Sequence, residues 1–378
     1  MADLFEYLAW RGDIGFSKSP LNSVDSLIFS QLSYLPFDGI VPSPDEKGSI
    51  SIRDAAGLFG EKFNNDSAVK NLTLLFEKDP ELLGALAFSN RFGNCRLSGY
   101  VNIVDNNRGI QFSAVCVNTD EKFSLVIYRG TDRNIVGWKE DFNMSFNEAV
   151  PAQLEAVVYL EKMACKLKKH LYISGHSKGG NLAVYAAACC RKRIQKRIKD
   201  IYSFDAPGFQ DTVLTSKGFF MIKDKIQSFI PQASVVGMLF EHGCGQKVVK
   251  SVSTGLLQHE LYTWEVTHND LVYVEDITPG SRFVDKTVKE WISGLNKEQR
   301  EQFLNALYSI IDNSEVRSLQ DFEVSWFKAA GRMFKTFGGI DENKKQLIQK
   351  TFGDLFNIAR RNFDTLLNPY SPDKKTEK

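Results

Sequence analysis

The sequence lacks a surplus of either charge and lacks any long apolar run. Its 378 residues include 47 Lys or Arg and 46 Asp or Glu, so the formal net charge is +1. This near balance predicts no general attraction to nucleic acid or to an anionic membrane surface. Because no uninterrupted stretch of about 18 apolar residues occurs, no membrane-spanning helix is predicted either.

Cysteine motifs are also missing. The six cysteines are scattered, and none of them forms a Cys-x-x-Cys pair. His242 and Cys244 lie close together but lack the further ligands that a zinc site needs, so no metal is expected. The first residues, MADLFEYLAWRGDIGF, carry charges and no small-residue cleavage site, which makes them a poor signal peptide. We therefore expect reduced thiols in a cytoplasmic protein.

Hydrophobic patterns change along the chain from helical to alternating strand and helix. LNSVDSLIFSQLSYL predicts an amphipathic helix capped by Asn22 or Ser23. From residue 97 onward, apolar strands such as KFSLVIYRGTD alternate with helices such as PAQLEAVVYLEKMACKLKKH. Such alternation favours a mostly parallel sheet covered by helices on both faces. The predicted regions are an N-terminal helical section over 1–95, an α/β core over 96–284, and a helical extension over 285–378 with a disordered tail.

One turn in this core carries a serine. The stretch LYISGHSKGGNLAV has Ser177 at the centre of a Gly-x-Ser-x-Gly pentapeptide. Its strand–turn–helix order is that of a nucleophile elbow, in which Gly175 and Gly179 relieve crowding around a strained serine. The serine would lie at the positive end of the helix. The pentapeptide also occurs by chance as a plain turn, so a nucleophile is predicted only if a base, an acid and an oxyanion site are found elsewhere.

Histidine is scarce, which narrows the search for the base to five residues. α/β-Hydrolases place the acid after the serine and the histidine after the acid. His170 and His176 precede the serine, and His176, directly beside it, is expected to point away and shape the elbow. His259 follows the predicted last core strand, KVVKSVST, where the fold has its histidine loop, whereas His242 precedes that strand. His259 is therefore the predicted base, and His268 is the alternative.

The acid is less clearly marked. Asp205 in SFDAPGF follows the strand after the elbow helix, 28 residues beyond Ser177. A carboxylate there can orient an imidazole that arrives from the C-terminal side. The other interpretation is an aspartate that bonds its own turn before Ala-Pro-Gly. We predict Asp205 as the acid, with Asp270 and Glu260 as alternatives on the histidine loop.

An oxyanion hole requires two hydrogen-bond donors. The backbone N–H of Lys178, the residue after the predicted nucleophile, is one candidate. The loop after the strand SLVIYRGTD is the predicted source of the other. There Gly130 allows close approach, and Thr131 offers both an N–H and a hydroxyl.

The ordered series YRGTD, GWKEDF and GHSKGGNLA resembles the class 3 lipases, which have an α/β-hydrolase fold. The resemblance implies that Ser177 is the nucleophile and that Thr131 belongs to the oxyanion hole. It also implies that Trp138 and Asp141 support the loop after the oxyanion strand. These roles agree with the interpretation of the individual motifs.

From about residue 20 to about residue 280, the sequence also resembles a family of lipase-like bacterial proteins of unassigned function. Segments of that family are similar to GHSKGG, FDAPGF, PQASVVGML and QHELYTW. The last of these segments contains His259, so this second resemblance favours His259 over His268 as the base.

Two positions depart from the class 3 lipases. Lys178 stands where they usually have Leu, which would put a long cation over the site and favour an anionic substrate. Their triad acid comes from an Asp-x-Val-Pro segment, and the similar segment here begins with Ser234. The acid would therefore have to come from the preceding strand, an arrangement that resembles the pancreatic lipases.

Together these patterns predict an α/β-hydrolase fold and a serine hydrolase that cleaves a carboxylic ester of a small molecule or lipid. No cofactor, metal or nucleic-acid partner is expected. The predicted roles are nucleophile for Ser177, base for His259, acid for Asp205, and oxyanion donors for Thr131 and the Lys178 N–H. The competing hypothesis is a catalytically silent α/β-hydrolase that binds a ligand or partner, which the missing Asp-x-Val-Pro acid and the unusual lysine favour.

Overall fold

A computed structural model describes most of the chain up to residue 296. The described residues are 2–65, 76–119, 123–132, 137, 140, 144, 149–167, 170–296, 299, 350, 353–354 and 356–363. Most of the predicted helical extension, including the tail SPDKKTEK, lies outside these residues.

Eight strands form one sheet in the described residues, and their order in the sheet is their order along the chain. Neighbours from β1 to β4 pair antiparallel, and neighbours from β4 to β8 pair parallel. The strands are β1 (Ile50–Ser51), β2 (Arg96–Asp105), β3 (Ile110–Asn118), β4 (Phe123–Tyr128), β5 (His170–His176), β6 (Ile198–Phe204), β7 (Ile226–Pro231) and β8 (Gln246–Val249). The carboxyl ends of β4, β5 and β6 therefore meet at one edge of the sheet.

Helices cover both faces of this sheet. They are α1 (Leu4–Arg11), α2 (Ser23–Leu32), α3 (Ile52–Asn65), α4 (Asp79–Phe88), α5 (Pro151–Lys166), α6 (Lys178–Cys189), α7 (Lys192–Gln195), α8 (Asp211–Leu214), α9 (Lys217–Ile222) and α10 (Pro279–Gly294). Helix α2 begins as its sequence predicts, because the Asn22 side chain accepts a hydrogen bond from the backbone N–H of Asp25.

The central strands bury both of their faces. Along β4, Leu125 and Ile127 belong to a core cluster formed with the N-terminal helices. Val126 and Tyr128 belong to a second cluster, formed with α5 and α6. This alternation follows from the two-residue period of a strand, and it places a helical layer on each face. The predicted α/β-hydrolase fold is confirmed.

Several element boundaries differ from those expected from the sequence. The helix predicted over 151–170 ends at Lys166, and the predicted last core strand is the shorter β8. After β8 the described residues make isolated bridges, such as Ser251 to Trp264, and no further strand of the sheet. Within the described ranges, every helix falls short of the length and apolarity needed to cross a bilayer. The six cysteines all lie in the described part of the chain, and no disulfide joins them there.

Candidate active site

Ser177 occupies a sharp turn between β5 and α6. Its backbone angles, φ 57° and ψ −131°, lie in a region that residues with a Cβ rarely adopt. A Cβ on Gly175 would lie 2.2 Å from the carbonyl carbon of Gly179, so the strand and the helix can approach this closely only with glycine there. The Ser177 N–H donates to the Phe204 carbonyl oxygen at 2.9 Å, which ties the turn to the end of β6. The strand–turn–helix predicted from the sequence is present.

Asp205 and His259 form a hydrogen-bonded pair beside this turn. Asp205 directly follows β6, the parallel neighbour of β5, and His259 ends a short 3₁₀ helix (Gly255–His259) after β8. The His259 Nδ1 lies 2.7 Å from the Asp205 Oδ2. A carboxylate only accepts, so Nδ1 carries a proton, and in the neutral imidazole the lone pair is then on Nε2. The Asp205 side chain is 1% exposed and the His259 side chain 13%, so the pair is sheltered while the imidazole stays reachable.

The Asp205 carboxylate is held by two further donors. Its Oδ1 accepts from the Ser234 hydroxyl at 2.5 Å and from the Gly237 N–H at 3.0 Å. Ser234 is the residue that stands in the segment resembling Asp-x-Val-Pro. Its hydroxyl therefore contacts the carboxylate from the position where the class 3 lipases have their own acid. The sequence marked Ser234 only as a missing acid, and its role as a donor to Asp205 was not predicted.

His176 connects the turn to the histidine loop. Its Nε2 lies 2.9 Å from the backbone oxygen of His259, and the two ring centroids are 4.4 Å apart. Burial lowers the pKa of His176 well below 6.5, and the nearby His259 lowers it further. The sequence predicted only that His176 points away and shapes the elbow, whereas in the structure its ring contacts His259, the residue predicted as the base. In the described residues the Ser177 hydroxyl and the His259 ring make no direct hydrogen bond, and His176 joins the two regions.

The predicted oxyanion strand ends next to Ser177. Gly130 follows β4, and a Cβ there would lie 2.7 Å from the His176 carbonyl oxygen and 3.1 Å from the Ser177 Cβ. Thr131 follows immediately. Lys178 is the first residue of α6, where backbone N–H groups have no acceptor within the helix. Trp138 and Asp141, which the resemblance implied as supporting residues, lie outside the described residues.

The side chain of Lys178 does not lie over the site, so that interpretation of the sequence was wrong. Lys178 is 1% exposed. Its Nζ donates to the carbonyl oxygen of Gln111 at 2.8 Å and to the Gln111 Oε1 at 2.6 Å, and it lies 3.2 Å from the Glu140 Oε2. The ammonium group is thus part of a buried ion pair, and we expect Lys178→Leu to affect charged and neutral esters equally.

The other candidate residues make contacts elsewhere. The His268 ring stacks on Trp10 at 4.9 Å, and Asp270 accepts from the Ser23 hydroxyl. The His242 Nε2 contacts the Gly237 carbonyl oxygen at 2.8 Å, close to the Asp205 turn. Among the described residues, none of these contacts joins a second histidine to Asp205 by a hydrogen bond. The described residues also contain no group of three or more His, Cys, Asp or Glu side chains arranged to hold a metal ion.

A buried carboxyl group ties the histidine loop to the N-terminal helices. The Asp79 Oδ1 accepts from the Tyr262 hydroxyl and from the Gln31 Nε2, each at 2.7 Å. The Asp79 Oδ2 and the Gln31 Oε1 are both buried, with no hydrogen-bond partner among the described residues. Burial raises the pKa of Asp79 to about 7, against the lowering effect of the two hydrogen bonds. The protonated form of Asp79 is therefore favoured in the folded protein below about neutral pH.

Asp79→Asn is expected to remove a loss of stability that occurs as the pH rises. Unfolded Asp79 ionises near its ordinary pKa of 3.8, whereas folded Asp79 keeps its proton up to about 7. The folded state binds more protons between these values, so the free energy of unfolding falls with rising pH there. From about pH 5 to about pH 8, wild type should lose roughly 2–3 kcal/mol that the variant retains.

Urea denaturation of both proteins at the two pH values measures this difference. Asp13→Asn, at an exposed aspartate in the same N-terminal region, is the matched control and should follow wild type. Parallel pH profiles for wild type and Asp79→Asn would contradict the prediction.

The eight-stranded sheet with its serine turn after β5 is a lipase-like α/β-hydrolase fold. The chain belongs to the Mbeg1-like family, because the family model matches residues 86–309, which are 224 of the 378 residues. No curated protein matches the sequence.

Similar solved structures include several fungal lipases. The Lip2 lipase from Yarrowia lipolytica is 13% identical with a TM-score of 0.34, over 61% of this chain and 99% of that one. The Rhizopus microsporus var. chinensis lipase is 14% identical with a TM-score of 0.31, over 56% and 78%. The Rhizomucor miehei lipase, in its propeptide complex, is 14% identical with a TM-score of 0.32, over 41% and 57%. The match therefore spans little more than half of the Rhizomucor chain.

Proposed function

We propose that this protein is a serine hydrolase that cleaves carboxylic esters of small molecules or lipids. The observation that carries the proposal is the buried Asp205–His259 pair beside a serine held in a strained strand-to-helix turn. Strained backbone is retained where the surrounding structure enforces it, and it concentrates at functional sites. A carboxylate bonded to Nδ1 leaves the imidazole in the tautomer that a base needs.

In the proposed reaction, the Ser177 Oγ attacks the ester carbonyl carbon while the His259 Nε2 takes the hydroxyl proton. The C=O bond becomes a C–O⁻ bond in the tetrahedral intermediate, and Asp205 stabilises the imidazolium that forms. The alcohol then leaves with the proton from His259. Water, activated by the same imidazole, releases the acid and regenerates Ser177. Catalytic hydrogen bonds are often long before substrate binds, so the Ser177–His259 contact is expected to form in the complex.

The negative oxygen of the intermediate would be stabilised by the backbone N–H of Lys178 and by Thr131. Two facts support this assignment. Lys178 begins α6, whose positive end faces the turn, and Gly130 lets the oxyanion strand approach Ser177. The proposed chemistry uses no metal or cofactor. We also propose a cytoplasmic location, because the cysteines form no disulfide within the described residues.

A fluorophosphonate probe tests the proposal directly. Wild type should take up one label, and peptide mass spectrometry should place it on Ser177, because the probe reacts only with a serine activated by its base. Ser177→Ala should take up none. Ser17→Ala, which removes an exposed serine, is the matched control and should label like wild type. A folded wild type that takes up no label would overturn the hydrolase proposal and leave the catalytically silent binding protein. Once labelling succeeds, p-nitrophenyl esters of graded length define the acyl preference.

A further inference from the structure

The N-terminal helices contribute a tyrosine to the site. Tyr34 lies just after α2 and is 7% exposed. Its hydroxyl lies 2.8 Å from the His176 Nδ1, although the two residues are 142 positions apart in the chain. Its ring is fixed by an edge contact with Phe76, at a centroid distance of 5.1 Å. The triad needs no tyrosine, and nothing in the sequence marked this one.

The direction of the hydrogen bonds at His176 follows from their partners. The backbone oxygen of His259 only accepts, so the His176 Nε2 must carry a proton to bond it at 2.9 Å. Burial lowers the pKa of His176 well below 6.5, so the ring is neutral and its Nδ1 has no proton. Nδ1 is therefore an acceptor, and the Tyr34 hydroxyl is the donor. The chain of bonds runs from Tyr34 through His176 to the backbone of His259.

Three parts of the fold meet at this hydroxyl. A Cβ on Gly130 would lie only 2.2 Å from the Tyr34 oxygen and 3.1 Å from the Ser177 Cβ. The end of the oxyanion strand, the serine turn and the N-terminal helices are thus in contact at one point. No larger residue than glycine fits at 130 without displacing the tyrosine.

We propose that Tyr34 is a positioning residue for the base, acting through His176 to hold the backbone and ring of His259 against Ser177. This inference rests on the proposed ester hydrolysis. Asp205 restrains the His259 ring at Nδ1, and His176 restrains the backbone of the same residue. The neutral state of His176 matters as well, because its ring is 4.4 Å from an imidazole that gains a positive charge during the reaction. The Tyr34 hydroxyl fixes that neutral form by donating to Nδ1.

Tyr34→Phe removes the donor and keeps the ring contact with Phe76. We expect kcat to fall roughly 5- to 20-fold with KM within about 2-fold, because a misplaced base affects the transition state more than substrate binding. The rate of fluorophosphonate labelling should fall by a similar factor. Tyr172→Phe removes a half-buried hydroxyl from the same strand as His176 and is the matched control, with kcat unchanged.

Nitrogen-15 NMR of the histidine rings measures the tautomer and hydrogen bonding of His176 without relying on activity. In wild type at about pH 8, His176 should be the neutral Nε2–H tautomer. Tyr34→Phe should keep this tautomer, because the His259 backbone oxygen still accepts from Nε2, and should shift the Nδ1 resonance, because the Nδ1 lone pair has lost its donor. A wild-type Nδ1–H tautomer, or equal kcat for Tyr34→Phe and Tyr172→Phe in a protein that labels at Ser177, would overturn this inference alone. A wild type that does not label overturns the proposed function together with it.

Discussion

Asp205→Asn is expected to lower kcat for an ester by about 10³- to 10⁴-fold while KM stays within a few fold. Asparagine has nearly the same shape, but it is neutral and cannot stabilise the imidazolium that His259 forms in the proposed reaction. Its amide can also turn an N–H toward Nδ1, which would favour the wrong tautomer of the imidazole. Initial rates with a p-nitrophenyl ester at saturating and limiting concentrations measure both constants.

Glu260→Gln is the matched control for this loss, because Glu260 neighbours His259 and was the alternative acid. It should reduce kcat by no more than about 3-fold, the size of an indirect effect. Equal losses in the two variants, or an Asp205→Asn enzyme as active as wild type, would show that Asp205 is not the acid.

A second substitution tests whether the predicted acid can be supplied from position 234 instead of position 205. The Ser234 hydroxyl is 2.5 Å from the Asp205 Oδ1, so a carboxylate at 234 would occupy the same region. Adding Ser234→Asp to Asp205→Asn should recover about 10- to 100-fold of the lost kcat, because a carboxylate in the segment after β7 can then bond the His259 imidazole. Ser234→Asp alone should impair wild type, since two carboxylates so close cannot both ionise at ordinary cost. If the double variant recovers no kcat, a carboxylate at position 234 cannot replace the one at position 205, and this prediction is wrong.

The second large effect concerns the buried pair of Lys178 and Glu140, whose side chains are 1% and 0% exposed. Lys178→Met should lower the free energy of unfolding by about 3–5 kcal/mol, because it leaves a buried carboxylate without its cation. Among the described residues, Glu140 would retain its contacts with the backbone N–H groups of Gln111, at 3.1 Å, and Ala152, at 2.7 Å. Glu140→Gln should lower the free energy of unfolding by a similar amount, because it leaves the buried ammonium group of Lys178 without its carboxylate.

A double-mutant cycle separates this pair from general disruption of the core. Lys178→Met with Glu140→Gln removes both charges, so its cost should be smaller than the sum of the two single costs by about 2–3 kcal/mol. Lys199→Met, at an exposed lysine of β6, is the matched control and should change stability by less than about 0.5 kcal/mol. Urea denaturation gives all four values. Additive single costs would contradict a coupled ion pair.

Features with a local signature were predictable from the sequence. The alternation of apolar strands and helices indicated the sheet and its two helical layers, because burial on both faces requires near-continuous apolar strands. Gly175 and Gly179 marked the turn at Ser177, since only glycine allows such close backbone contact. Chain order among the five histidines made His259 the predicted base with His268 as the alternative, and His259 is the one that lies 2.7 Å from the Asp205 carboxylate.

Only the tertiary structure decided which partners the polar side chains have. The sequence showed that Lys178 follows the serine, but whether its ammonium faced substrate or the interior depended on Gln111, 67 residues away. The sequence at Ser234 indicated only a missing acid, whereas in the structure its hydroxyl donates to the Asp205 carboxylate. Nothing in the sequence indicated that Tyr34 contacts His176. Hydrogen bonds act over about 3 Å, and the residues that they join are set by how strands and helices pack. A pattern along the chain therefore determined the turn and the order of the catalytic candidates, and only folding determined what supports them.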